Sequence, residues 1–175
     1  MAAFSLFGFH CCYHMAARSM LPTIPLNQIF AAKAYLESAP PARGDVILFL
    51  RLKRGDQPYV KRVVGLPGDS IQMLDGALYV NGKTVKRERV GDFAVTDDAG
   101  KTVCRRWHET LPNGVSYDTI DGSDDYALGR TPVFETPPGQ YFVLGDWRDN
   151  SLDSREQSDF GFVPLADILG KVTAP

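Results

Sequence analysis

Two turn signals six residues apart constrain this chain most. Asp75-Gly76 separates the apolar residues 71–74 from 77–80, and Asn81-Gly82 precedes Thr84-Val85. Asp-Gly and Asn-Gly supply the two successive positive-φ residues of a tight type I′ turn, whose twist matches antiparallel strands. Residues 77–80 are therefore expected to be a short strand between two hairpin turns. The neighbouring sequence has the same grain. Residues 45–50, Asp-Val-Ile-Leu-Phe-Leu, form an apolar run after Arg43-Gly44. Residues 59–65 are β-branched and bounded by Pro58 and Leu66-Pro67-Gly68, and 141–144 make another short apolar strand. Gly 16 and Pro 12 suit a chain of many turns and short strands. Only residues 27–38, bracketed by Pro25 and Pro40-Pro41, carry a helical expectation. The fold class is mainly β, with antiparallel sheets.

Composition narrows the function classes. The 175 residues carry 19 Lys+Arg against 21 Asp+Glu, a net charge of −2, which offers no electrostatic footprint for nucleic acid. Apolar residues at 44% and charged residues at 23% are ordinary globular usage. The longest uncharged stretch, residues 1–17, is interrupted by Ser5, His10, His14 and Cys11-Cys12, so no transmembrane helix is expected. The first basic residue is Arg18, so the start lacks the basic region of a secretory signal. Its apolar residues Phe4, Leu6, Phe7 and Phe9 suit either a terminus frayed or tucked against the core, or a segment that touches a lipid surface or is the stub of an anchor. Three cysteines cannot complete a disulfide framework, and His10-Cys11-Cys12-Tyr13-His14 has no second ligand cluster to make a metal site. Residues 90–136 are polar and acidic, and read as a lobe inserted into the main sheet.

Two segments point to chemistry. In Tyr59-Val60-Lys61-Arg62-Val63, strand alternation puts Tyr59, Lys61 and Val63 on one face and Val60, Arg62 and Val64 on the other. One of two adjacent basic residues must then face a buried side. A lysine desolvated there loses basicity and becomes a usable general base. In Gly145-Asp146-Trp147-Arg148-Asp149-Asn150-Ser151-Leu152-Asp153-Ser154-Arg155, arginines, aspartates and serines interleave directly after an apolar strand. Such density can close into a network that stiffens a loop.

Taken in order, these segments resemble the boxes of type I signal peptidases, the leader peptidase family. Ser19-Met20-Leu21-Pro22-Thr23 is similar to the serine box. Tyr59-Val60-Lys61-Arg62-Val63-Val64-Gly65-Leu66-Pro67-Gly68-Asp69 is similar to the lysine box, and Arg43-Gly44-Asp45-Val46-Ile47-Leu48-Phe49 to the box between them. The segment 145–155, followed by Gly161-Phe162-Val163-Pro164, is similar to the last box. The resemblance covers about residues 12–170.

The resemblance implies a serine endopeptidase that removes signal peptides from secreted preproteins at the outer face of the cytoplasmic membrane. It implies coiled antiparallel sheets, with a catalytic core of residues 12–89 and 137–175 and residues 90–136 as a second lobe, after an apolar segment 1–11. Ser19 becomes the nucleophile and Lys61 its general base, with Ser151 hydrogen-bonded to the lysine. Met20, Leu21 and Tyr59 become substrate-binding residues, and Arg62, Asp146, Arg148, Asp153 and Arg155 brace the site. No cofactor or metal is required, and signal peptides and membrane lipid are the partners. Elementary chemistry agrees, because a serine hydroxyl needs a base. After Ser19 the next histidine is His108, inside the lobe, which leaves a Ser-His-Asp arrangement without a candidate.

Two departures bear on activity. Ala17 stands where the family has a small polar residue that helps hold the oxyanion, and Arg18 stands where it has glycine. Family members also carry one or more membrane helices before the serine box, where this chain shows a short apolar start. Two other readings compete. A self-cleaving repressor-type Ser-Lys peptidase would need a cleavage segment and a DNA-binding domain upstream. A catalytically impaired β module that binds peptides or partner proteins would fit Ala17 and Arg18.

Overall fold

The computed structural model describes residues 9–51, 57–97, 100–122 and 128–173. They form fourteen strands, joined by turns and one short 3-10 turn, Leu165–Asp167, with no α-helix among the described residues. All strand pairings are antiparallel. The first β-hairpin signal becomes β5 (Ser70–Leu74) and β6 (Ala77–Val80), with φ of 49° at Asp75 and 77° at Gly76. β7 (Lys83–Thr84) follows Asn81-Gly82, again at positive φ. With β11 (Phe134–Glu135) these strands make a four-stranded sheet.

A seven-stranded sheet carries the rest of the core. Its order is β1 (Phe9–His14), β2 (Ile29–Lys33), β14 (Ile168–Thr173), β3 (Val46–Leu50), β4 (Pro58–Gly65), β12 (Gln140–Leu144) and β13 (Val163–Pro164). β4, the longest strand of this sheet, is an interior strand between β3 and β12. Its last six residues, Val60 to Gly65, are all buried. Between the two sheets lies a core of Val64, Ile71, Met73, Leu78, Phe142 and Leu144, among others.

The helical expectation for residues 27–38 fails. Residues 29–33 alternate in burial, with Phe30 and Ala32 on the covered face, which is the period of a strand and not of a helix. They pair with β1 on one side and β14 on the other.

The polar region is a separate three-stranded sheet: β8 (Lys86–Asp97), β9 (Gly100–Thr110) and β10 (Ser116–Asp121). The β8–β9 ribbon begins at Lys86, so the expected boundary at residue 90 falls inside β8, and β11 pairs with β5 on the core side. The lobe is tied to the core by a parallel bridge between Ile120 and Trp147. Leu21, Val95, Cys104, Ile120 and Trp147 pack together there, with the free thiol of Cys104 buried among them. Among the described residues, no helix is long and apolar enough to cross a membrane. The apolar residues 1–8 lie outside the described residues, and so do the side chains of residues 9–12.

Candidate active site

Ser19 sits on a tight run of turns between β1 and β2. The amide of Leu21 donates to the carbonyl of Arg18 at 3.0 Å and that of Ile24 to Met20 at 2.9 Å, and the Leu21–Pro22 peptide is cis. The turn is pinned from below. Met20 is fully buried against Met15, Ile24, Phe30, Leu48 and Val60. The turn is also pinned from the side, where the Trp147 amide donates to the Ser19 carbonyl at 3.0 Å.

Lys61 comes from β4, opposite Ile47 of β3. Its Nζ lies 2.6 Å from Ser19 Oγ, and both residues are buried, at 3% and 8% exposure. Burial lowers the Lys61 pKa from 10.5 to about 8. The Arg155 cation adds to this, while Asp153 and Asp146 pull the other way. The sequence left open which basic residue of β4 is desolvated. Both are, and only their partners differ. Arg62 turns to the opposite face and pairs with Asp146 through Nε at 2.9 Å and Nη2 at 2.6 Å, while Nη1 donates to the Gly44 carbonyl at 2.8 Å. A paired guanidinium stays protonated and is no base. Lys61, beside a hydroxyl in a dry site, has no such paired carboxylate at its amine among the described residues, and its pKa is lowered instead.

The charged loop after β12 does not close on itself as a single network. Within it, Arg155 holds Asp153 in a two-pronged pair at 2.8 Å, and Asp153 also accepts the Gly145 amide at 3.0 Å. These partners keep the buried Asp153 carboxyl below its ordinary pKa despite burial. The other charges reach outward. Asp146 takes Arg62 and the Thr23 hydroxyl, the latter at 2.5 Å, and Arg148 crosses into the lobe to Glu109.

A cleft of about 400 Å³ opens beside the Ser19–Lys61 pair. Tyr59, Val60, Leu48, Phe30 and Met15 line it, together with Ala17, Arg18 and Asn150. Tyr59 lines the cleft, its ring stacked on Phe49 at 6.0 Å. Met20 and Leu21 are not among the lining residues. Their side chains point into two core clusters, because the turn that brings Ser19 to the edge of the cleft turns the two residues after it inward. Ser151 also departs from expectation. Its hydroxyl is buried without a hydrogen-bond partner and packs on Gly145 instead of bonding Lys61. His108 faces Asp118 in the lobe at 2.7 Å.

Sequence reasoning missed Thr23, Glu109, Tyr117 and Ile120. Glu109 is fully buried, 39 positions from its partner Arg148, in a stretch whose many acidic residues gave it no distinguishing local signal.

The family model described as "Signal peptidase, peptidase S26" matches residues 1–175. The chain belongs to this family. It is 41% identical over 169 residues to "Signal peptidase I" of Rickettsia typhi, covering 91% of this chain and 59% of that protein. It is 39% identical over 168 residues to "Signal peptidase I" of Rickettsia canadensis, covering 91% and 58%. The chain thus spans about three fifths of the length of these signal peptidase relatives. A crystal structure of a signal peptidase I from Enterococcus faecalis is 30% identical, covering 76% of this chain and 97% of that one, with a TM-score of 0.44.

Proposed function

We propose that this signal-peptidase family chain is a serine endopeptidase that cleaves N-terminal signal peptides from secreted preproteins. The observation that carries the proposal is the 2.6 Å approach of a buried lysine amine to Ser19 Oγ at the mouth of an apolar cleft. Neutral Lys61 accepts the hydroxyl proton as Ser19 Oγ bonds to the scissile carbonyl carbon. The ammonium then returns that proton to the leaving amine as the C–N bond breaks, leaving an acyl-serine. Water, deprotonated by Lys61, then bonds to the acyl carbon, and the ammonium returns the proton to Ser19 Oγ as the ester C–O bond breaks, which frees Ser19 and the carboxyl product. The Ser19 amide supplies an oxyanion donor. Ala17 removes a hydroxyl donor, and losing one such donor costs about 10²–10³ in kcat, so turnover is expected to be slow. The setting is the outer face of the cytoplasmic membrane, with residues 1–9 contributing lipid affinity.

The test is incubation with a detergent-solubilised preprotein and a model peptide, with Ser19→Ala as control. Cleavage that depends on Ser19 supports the peptidase. Binding of the peptide without cleavage, unchanged by Ser19→Ala, would favour a peptide-binding module. For the peptidase, the rate should rise with pH through an inflection near 8, because below it Lys61 is protonated and cannot accept the proton. A profile flat between pH 6 and 10 would refute an amine base.

Substrate choice provides a further check. An extended peptide adds beside a strand with alternate side chains facing the enzyme. The residue before the cut and the one two earlier would both meet the wall of Phe30, Leu48, Tyr59 and Val60. Small residues are expected at both positions and wide tolerance between them. Comparable cleavage after Ala and after Phe in a peptide series would contradict this.

A further inference from the structure

Beneath the site, where the lobe meets the main sheet, lies a buried ion pair with no part in the bond-making steps above. Glu109 of β9 and Arg148 of the loop after β12 are both fully inaccessible, with Nη2 and Oε2 2.5 Å apart. Three more groups converge on the carboxylate. The Tyr117 hydroxyl donates at 3.1 Å, the Thr119 hydroxyl at 3.4 Å, and Arg87 Nε lies 3.6 Å away. Burying a charge this deeply is tolerated only with close partners, and replacing such a pair by apolar residues is often neutral or stabilising. Stability alone is therefore a weak reason for the pair to exist.

What the pair touches is the segment that holds Ser19. Residues 145–148 are clamped at every position. The Gly145 amide goes to Asp153, the Asp146 carbonyl accepts from Ile120, the Trp147 amide holds the Ser19 carbonyl, and the Arg148 amide donates to Ile120. The Arg148 carbonyl accepts from Arg155 Nη2 at 2.6 Å, and Arg155 grips Asp153. The lobe thus holds this segment through the Ile120 backbone and, at the Arg148 side chain, through the Glu109 carboxylate and the Tyr117 hydroxyl, which accepts from Nη2 at 3.3 Å.

We propose that Glu109 is a positioning residue for the Ser19–Lys61 pair: by anchoring Arg148 it fixes residues 145–148, against which the nucleophile is held. This rests on the peptidase reading for its kinetic consequence, but the geometric claim stands apart from it. Glu109→Gln keeps the shape and removes the charge. The guanidinium of Arg148 then loses the carboxylate it meets in a dry interface, and its pull toward water takes residues 147 and 148 with it. Ser19 then shifts relative to Lys61, and a displacement of about 1 Å at a reacting pair can cost about 10²-fold in rate. Water entering beside Lys61, which is faced by Asp153 and Arg155 of the same loop and by Asp146, weakens the desolvation that holds its pKa down.

The experiment measures kcat, KM and the pH profile on a model peptide. Alongside these it follows the titration of the Lys61 side chain by heteronuclear NMR in the full chain without substrate. Glu109→Gln is expected to lower kcat about 10–100-fold with KM little changed, and to move both the pH inflection and the Lys61 titration upward. A wild-type titration and wild-type kcat would overturn the proposal. If cleavage by the wild type proves independent of Ser19, the peptidase reading falls, and the NMR titration alone decides the positioning claim. Should Glu109→Gln fail to fold, the double variant Glu109→Leu, Arg148→Met is measured instead, since it removes both charges of the pair together. A folded double variant with reduced kcat or a raised Lys61 titration supports positioning. One indistinguishable from wild type in both shows that the pair only balances charge, and refutes it.

Discussion

Lys61→Met is expected to abolish peptide hydrolysis at every pH and, at pH 7, to make the protein more stable. The two halves have one cause. Lys61 is a cation in the unfolded chain up to its ordinary pKa of 10.5, whereas the folded site holds it near 8. At 1.36 kcal/mol per pH unit, that difference is a cost on the order of 3 kcal/mol, carried by the folded state wherever the pH lies below 8. The folded state binds fewer protons, so wild-type stability rises as pH climbs from about 8 to 10.5, where the amine is neutral in both states. Methionine fills a similar volume without the charge. Its introduction orphans no carboxylate, because Asp153 keeps Arg155 and the Gly145 amide, and Asp146 keeps Arg62. The stability gain should therefore be largest below pH 8 and nearly gone by pH 10.5. For a chain of this length each kcal/mol moves Tm by roughly 2–4 °C. Denaturation curves of both proteins at pH 7 and at pH 10 check this. A variant less stable at pH 7, or a difference that does not shrink with pH, would show that Lys61 is not held under strain of desolvation.

That a desolvated lysine can be read from a sequence at all depends on strand alternation. Lys61 and Arg62 had to face opposite sides of β4, and the tight turns around β6 required antiparallel neighbours. These are local rules, and the structure obeys them. The turn at Ser19 exposes limits of the same reasoning. Met20 and Leu21 follow Ser19 directly in sequence, but the turn carries both into the core, while Ala17 and Arg18 on the other side of Ser19 line the cleft. The helical expectation at 27–38 failed for a related reason. Pairing with β1 and β14 on either side decided residues 29–33, and such long-range pairing leaves no local trace. The partners of Asp146 and Arg148 were illegible in the same way. Arg62 is 84 positions from Asp146 and Glu109 is 39 from Arg148. A charged loop looks self-sufficient in sequence, and only the fold shows that two of its charges are spent on β4 and the lobe.

Gly145→Ala should leave the chain folded but nearly inactive, with kcat down about 10²-fold or more. A β-carbon at Gly145 would lie 2.2 Å from Ser151 Oγ, 2.5 Å from Ser151 Cβ and 2.7 Å from the carbonyl oxygen of Ser19. The first two contacts belong to a side chain that could rotate or shift. The third is backbone, and it belongs to Ser19 itself. The Ser19 carbonyl is held by the Trp147 amide, two residues along the same segment, so the methyl group pushes on the atom the segment exists to grip. Relief requires the Ser19 turn to move away from β12, which carries Oγ off its 2.6 Å approach to Lys61. Overpacking of one methyl costs about 1–3 kcal/mol, within the stability of a domain of this size. Ser151→Gly in the same chain removes the two side-chain contacts and leaves the third. If the loss comes from the Ser19 carbonyl, Gly145→Ala with Ser151→Gly should recover stability but not rate. Recovery of both would place the damage at Ser151, and the packing of Ser151 on Gly145 would then be what keeps the nucleophile in register.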